Sequence, residues 1–320
     1  MANDPSESEA IKAAVASLGR GDLIGLPTET VYGLAADARN EAALRKVFAL
    51  KGRPSDHPLI MHIGAVAELK DWARELPATA RVLADAYWPG PLTLILKRGP
   101  AVSDLITGGQ DTVALRMPAH PIALAVLRAF GGALAAPSAN RYGHISPTTA
   151  AHVRDEFGSA LGLVLDGGAT QVGIESTIVD LTSEPARILR PGAIGQAEIE
   201  ALIGPVCLGA KEASPRVPGA LASHYAPRTA TEQWPRAAIA ARVKALGLAG
   251  QRALVLAIGS LPAGCKGLAL PAEAGAFAHH LYAALRQLDA GQADRLLIES
   301  PPEHPAWTAI RDRIERASAG

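Results

Sequence analysis

Lys51 and Arg53 stand one residue apart in Lys51-Gly52-Arg53-Pro54, with His57-Pro58 and His62 close behind. Arginine offers a planar fork of donors and lysine a compact charge, so the pair suits a ligand with several anionic oxygens, phosphate above all. The same residues also describe a solvated basic helix end favoured by the helix dipole. The flanking prolines stiffen the segment and favour the ligand reading. His62 fits either a ligand contact or a half-buried strand histidine.

Three further groups have residue types suited to chemistry. In Pro27-Thr28-Glu29-Thr30-Val31-Tyr32-Gly33 the hydroxyls follow an apolar run, where an open α/β sheet binds small polar ligands. An ordinary turn whose threonines bond their own backbone is the alternative. In Ala135-Ala136-Pro137-Ser138-Ala139-Asn140, small side chains allow a ligand close to the backbone, and Ser, Asn and free N–H groups make an anion-binding nest. The Ser146-Pro147-Thr148 that follows extends this nest or caps a helix starting near residue 149. The last group is Thr112 and Arg116 around an apolar triplet, Ser176 after Gly173-Ile174-Glu175, and Arg190 before Pro191-Gly192. An arginine just past an apolar strand needs an anion, supplied by a substrate or by a structural Asp or Glu.

These residues need elements to position them. Short apolar runs predict strands at 23–26, 59–63, 92–96, 113–116, 163–166 and 177–181, alternating with amphipathic segments in the pattern of an α/β domain. Across 41–51, Leu44, Val47 and Phe48 recur at helical spacing, which predicts a helix packed on the sheet with its basic end projecting outward and Lys51 and Arg53 just beyond it. From 207 to 235 the chain turns to Pro, Gly, Ser and Thr without periodicity and reads as a linker. Beyond it, a helix at 235–246, a strand at 253–258, a helix carrying Phe277, Leu281, Leu285 and Leu288, a strand at 296–298 and a last helix with Trp307, Ile310 and Ile314 predict a second α/β unit with a parallel sheet.

Lys plus Arg and Asp plus Glu are equal at 31 each, so no overall charge draws the chain to a polyanion or a membrane surface. Nucleic-acid contact would need a local patch such as Arg45, Lys46, Lys51 and Arg53. Cys207 and Cys265 lie far apart without metal-ligand or redox spacing, so both are expected to be ordinary thiols. Residues 1–9 are acidic and polar rather than a targeting signal, and no apolar run reaches the roughly 20 residues that span a bilayer. A soluble, cytoplasmic protein is the expectation.

Taken together and in this order, PTETVYGL, KGRP with its following PL and His62, WPGPLT, ALRMP, APSAN with SPT, and ESTIVD with ILRPG resemble the threonylcarbamoyl-AMP synthases, the YrdC-like family, in their long two-domain form. The resemblance implies a YrdC-like twisted open-sheet catalytic domain over 1–206 and a smaller Rossmann-like α/β domain over 236–320. Between them, at 207–235, Pro218-Gly219 and Ser223-His224-Tyr225-Ala226-Pro227 look like the linker that folds back over the active site. It also implies a nucleotidyltransferase that condenses L-threonine, bicarbonate and ATP, with Mg²⁺, for the threonylcarbamoyladenosine modification of tRNA.

By the same resemblance Lys51, Arg53, Ser138 and Asn140 are the catalytic set. Thr30, His62, Arg116, Ala136 and Ser176 hold threonine; Arg53, His57, Thr112, Ser138, Ser146, Arg190 and Tyr225 hold ATP. His57 stands where many relatives have Asn, and both side chains donate hydrogen bonds. No residue is expected to ligate a metal directly. The resemblance leaves room for contact with tRNA or with a downstream threonylcarbamoyl-transferring enzyme, and implies no membrane partner. The competing readings are a non-catalytic RNA-binding module and another carbamoyl-transferring enzyme sharing the first domain.

Overall fold

The computed structural model describes residues 5–219 and 224–319, so Ser223 of the linker motif lies outside the described residues. Contacts divide the chain into two units. The first takes in the chain up to Tyr142, residues 147–171 and the stretch from Glu175 to Gly219; the second takes in Gly143–Ser146, Val172–Ile174 and residues 224–319.

The first unit is a mixed α/β structure on a ten-stranded sheet among the described residues. Its strands are β1 (Ile24–Leu26), β2 (Gly33–Asp37), β3 (Ile60–His62), β4 (Leu92–Lys97), β5 (Thr112–Arg116), β6 (Leu134–Ala135), β7 (Leu163–Val164), β8 (Thr177–Asp180), β9 (Arg187–Arg190) and β10 (Cys207–Leu208), in the order β10-β9-β8-β4-β5-β3-β6-β2-β1-β7. Side chains alternate across a strand, and this alternation builds the site. Met61, Leu92, Leu94, Leu96, Val113, Leu115 and Val179 enter the main core on one face, together with Leu44, Val47 and Phe48 of the Glu41–Lys51 helix. Ile60, Ile95, Ala114 and Ile178 point the other way and form a smaller cluster with Leu189 and Val217. Along β3, β4, β5 and the approach to β8, that second face also carries His62, Thr93, Thr112, Arg116 and Ser176, the positions in step with those apolar residues.

β2 is a strand that is absent from the runs singled out in the sequence. Gly33-Leu34-Ala35-Ala36-Asp37 has few good β formers, yet it is buried and paired on both sides, antiparallel to β1 and to β6. The two cysteines are free thiols, each partly exposed. No helix among the described residues is long and apolar enough to cross a membrane.

In the second unit β11 (Thr231–Trp234), β12 (Ala253–Ile258), β13 (Gly267–Leu270) and β14 (Arg295–Glu299) form a parallel sheet in the order β11-β14-β12-β13. β11 falls inside the stretch whose composition suggested no regular structure; the partner that makes it a strand is β14, 65 residues away between Thr231 and Leu296. The Ala274–Asp289 helix buries Phe277, Leu281, Leu285 and Leu288, the stripe visible in the sequence, and Phe277 packs against Trp307 with ring centroids 5.2 Å apart.

Two short segments that the sequence places amid the first domain's motifs belong to this second unit. Gly173, at φ 81°, passes so close to the Ala274–Asp289 helix that an added Cβ would lie 2.4 Å from the His279 carbonyl oxygen and 2.5 Å from its Cα. Gly173→Ala therefore combines a strained backbone with a collision and should cost roughly 2–4 kcal/mol of stability. Urea unfolding of the variant checks this, and a wild-type midpoint would mean that the approach is looser than described.

Candidate active site

The basic pair is built by a helix and its terminator. Asn40 caps the Glu41–Lys51 helix by accepting from the Ala43 N–H at 3.1 Å, and Gly52 ends it in the left-handed region at φ 64°. The expectation that the basic end projects outward is corrected here: Lys51 is 2% exposed and Arg53 7%. The reason lies far away in sequence. The Lys51 ammonium donates to the carbonyls of Ser138 and Asn140, each at 2.6 Å, so the loop after β6 draws the lysine inward. Burial holds the Lys51 pKa well below its ordinary value, and the neighbouring Arg53 charge adds to this. Arg53 donates to the Pro58 carbonyl at 2.9 Å and lies 5.9 Å from the ring centroid of Tyr142.

Tyr142, which the sequence reading passed over, joins these parts. Its N–H donates to the Lys51 carbonyl at 2.8 Å, and its hydroxyl lies 3.0 Å from Nδ1 of His57. Burial and Arg53 together lower the His57 pKa. The Ala135–Asn140 loop is fastened to β2, to the residue before it and to β3. The Leu34 N–H donates to Pro137, the Ala139 N–H to Tyr32 and the Ala136 N–H to Ile60, at 2.7, 2.8 and 3.1 Å. Lys51, Arg53, His57, Ser138 and Asn140 are thus one connected cluster. The helix that follows is capped by Thr149, accepting from the His152 N–H, rather than by Ser146-Pro147-Thr148.

Of the residues expected to hold threonine, His62, Arg116 and Ser176 lie on the second face of the sheet, while Thr30 and Ala136 sit in loops. His62 and Arg116 are register partners in the parallel β3–β5 pair. His62 is buried, and desolvation with the Arg116 charge lowers its pKa from 6.5 to about 3, so the imidazole is neutral. Its Nδ1 has no hydrogen-bond partner among the described residues. Thr28 makes the local turn considered from sequence, donating to the Val31 carbonyl at 2.6 Å, and its oxygen lies 2.9 Å from that of Thr30. Ser176 lies 2.7 Å from the Thr93 hydroxyl and accepts from Arg190 at 3.1 Å.

Arg190 also donates to the Ser176 and Pro218 carbonyls, at 3.1 and 3.0 Å. With Val217 seated on the same face as Ile60 and Ile178, residues 217–218 of the 207–235 stretch are held against this site. Arg116 has the carboxylate partner considered for strand-end arginines: Glu29, at 2.7 Å. Glu29 and Thr93 are site neighbours that the sequence reading did not single out.

Thr112 stands apart. It begins β5 and lines a polar cavity of about 530 Å³ with Lys97, Asp111, Asp180 and Lys211. Ser146 and Tyr225 fall in the second unit. There Arg286 donates to the Ile145 and Ser146 carbonyls, and the Ala226 N–H donates to Gly143 at 2.9 Å. Tyr225, at φ 62° and 1% exposed, stacks on Tyr282 with centroids 5.6 Å apart and lies 5.2 Å from the Arg313 guanidinium. Among the described residues no group of three or more His, Cys, Asp or Glu side chains is arranged to hold a metal ion.

The N–H groups of Ala136, Ala139 and Asn140 are spent on the Ile60, Tyr32 and Ser138 carbonyls, so the loop is not the nest of free donors expected from sequence. The buried cations themselves suit phosphate, and the neighbouring face of hydroxyls, imidazole and guanidinium suits a small hydroxylated zwitterion. Comparison with known proteins identifies the relatives of the chain. A family model described as Telomere recombination (Sua5_yciO_yrdC) matches residues 16–192, and a second, described as Threonylcarbamoyl-AMP synthase, C-terminal domain, matches residues 194–319. The chain is similar to the threonylcarbamoyl-AMP synthase of Pyrococcus abyssi, at 39% identity over 96% of this chain and 94% of that protein. It is similar to the synthase of Bacillus subtilis at 39% identity over 99% and 94%. The crystal structure of P. abyssi Sua5 complexed with L-threonine superposes with a TM-score of 0.91 at 37% identity, covering 98% of this chain and 94% of that one.

Proposed function

The chain belongs to the Sua5/YciO/YrdC family, in the form that carries the Sua5 C-terminal domain, and we propose that it condenses L-threonine, bicarbonate and ATP into threonylcarbamoyl-AMP and pyrophosphate. The observation that carries this reading is the near-complete superposition on a relative bound to L-threonine, with His62 and Arg116 in register on one buried face. The product would serve the threonylcarbamoyladenosine modification of tRNA, as in the family.

In this reading Arg116 takes the threonine carboxylate, while Thr30, neutral His62, Ser176 and the backbone at Ala136 hold the hydroxyl and amine. A neutral imidazole can donate or accept, which suits a hydroxyl. Arg53, His57, Thr112, Ser138 and Arg190 of the first unit bind ATP, and Lys51 stabilises phosphate charge. The threonine amine, as the free base, adds to carbon dioxide supplied by dehydration of bicarbonate and loses a proton to give a carbamate. A carbamate oxygen then attacks the α-phosphorus and the bond to the pyrophosphate leaving group breaks. No covalent nucleophile is required, so positioning and fixed charge supply the acceleration. Among the described residues no cluster of carboxylates would hold a resident ion, and Mg²⁺ is proposed to enter on the phosphates as MgATP. Carbamates lose carbon dioxide in water, and the cover provided by Val217 and Pro218, fastened by Arg190, would shield the intermediate.

The test is pyrophosphate release from MgATP with bicarbonate, comparing L-threonine, L-serine, L-valine and no amino acid. Release that requires both bicarbonate and L-threonine is expected. Release indifferent to the amino acid would assign the site a different substrate, and salt-sensitive tRNA binding without any release would move a binding module to the front.

A further inference from the structure

Glu29 sits between two site threonines but belongs to none of the groups assigned above. Its side chain and that of Arg116 are each 5% exposed, and they meet at 2.7 Å. The contact is a charge pair without a directed hydrogen bond. Neither Glu29 oxygen accepts one from any described residue, and Arg116 Nη2 donates none. Among the described residues the guanidinium makes one hydrogen bond, from Nε to the Gly90 carbonyl at 3.3 Å.

As a structural device this pair is poor. Two charges removed from water are repaid only when their remaining donors and lone pairs are satisfied. Each buried polar atom left unsatisfied costs about 1–3 kcal/mol. A carboxylate kept in this condition, beside a face of hydroxyls and a neutral imidazole, is suited to a donor that arrives with a ligand.

The required donor must carry positive charge or several N–H groups, and its ligand must also offer Arg116 an anion. An α-amino acid zwitterion has both, with carboxylate and ammonium on one carbon. We propose that Glu29 binds the ammonium of the amino-acid substrate: the zwitterion enters the Glu29–Arg116 pair, its carboxylate taking Arg116 and its ammonium taking Glu29. One poorly hydrogen-bonded ion pair becomes two charge-assisted ones. This rests on the proposed function and deepens it, making Glu29 the group that selects an amino acid over the corresponding hydroxy acid. Thr30 and His62 are left to read the side-chain hydroxyl.

The test is calorimetric titration of the full-length protein with L-threonine and with 3-hydroxybutanoate, which lacks only the amine, for wild type, Glu29→Gln and Glu29→Asp. Wild type should bind L-threonine at least about 30-fold more tightly than the analogue, as expected for a buried, charge-paired contact. Glu29→Gln should weaken L-threonine by a similar factor, leave the analogue and the KM for ATP within about 2-fold, and so close the gap; Glu29→Asp should restore part of it. Equal weakening of both ligands would reduce Glu29 to a support for Arg116 and overturn the proposal. So would unchanged L-threonine binding in Glu29→Gln. If Glu29→Gln does not fold, the wild-type comparison decides, because equal affinity for the two ligands refutes an ammonium site. Wild type that binds no L-threonine at all would instead overturn the proposed function.

Discussion

Lys51→Ala is expected to reduce threonine-dependent pyrophosphate release by about 100- to 1,000-fold, the range for removing one preorganised charge from a developing anion. The ammonium is buried and aimed by the Ser138 and Asn140 carbonyls at 2.6 Å each, so it is placed before substrate arrives. The substitution also leaves those carbonyls without their donor and should lower stability by about 2–4 kcal/mol. The two effects separate experimentally. Rates are measured well below the melting temperature of each variant, with Lys51→Met retaining the apolar stem. If both variants melt early yet keep activity within about tenfold of wild type, Lys51 is a structural clamp and not part of the chemistry. A second signature follows from burial and Arg53, which hold the Lys51 pKa well below 10.5. If the charged form is needed, activity should fall on the alkaline side earlier than an exposed lysine would allow.

The second large effect is acid sensitivity conferred by His62. Its folded-state pKa is about 3 against 6.5 when exposed, because burial and Arg116 oppose the imidazolium. Between these values the unfolded chain binds a proton that the folded chain does not. Stability from this residue is therefore intact above pH 6.5 and is lost as pH falls towards 3. At about 1.4 kcal/mol per pH unit the total reaches roughly 4–5 kcal/mol. Urea unfolding at pH 7, 6, 5 and 4 for wild type and His62→Gln isolates the contribution, since the carboxylates act on both proteins alike. Parallel loss in the two would show that His62 titrates in the folded state as it does in water.

The elements legible in the sequence are those whose own residues carry the signal. β4, β5 and β12 are apolar runs, and the Glu41–Lys51 helix has a clear stripe, its Asn40 cap and its Gly52 stop. What escaped the sequence depends on partners outside the element itself, some near and some distant along the chain. β2 is made a strand by neighbours on both sides despite its Gly and Ala content, and two-residue β10 exists through β9. Lys51 reads as a solvated helix end because the carbonyls that turn it inward are 87 and 89 residues away. Glu29 lies within a recognisable motif, but its meeting with Arg116 follows from the pairing of strands. Tyr142 gives no signal of its own; its importance comes from standing where the chain returns to Lys51 and His57.

Arg286 grips carbonyls 140 and 141 residues earlier in the chain, at Ser146 and Ile145. A ribosome adding about 5–20 residues per second needs roughly 7–30 s to cover that interval. Throughout it the Gly143–Ser146 segment has been made while the helix that holds it has not, and Val172–Ile174 waits in the same way for His279. The order of synthesis thus separates the emergence of the sheet from the completion of the segment bearing Ser146. A nascent chain stalled before residue 274 should carry Lys51 and Arg116 on their strands and helix, yet lack the grip that sets the Ser146 backbone.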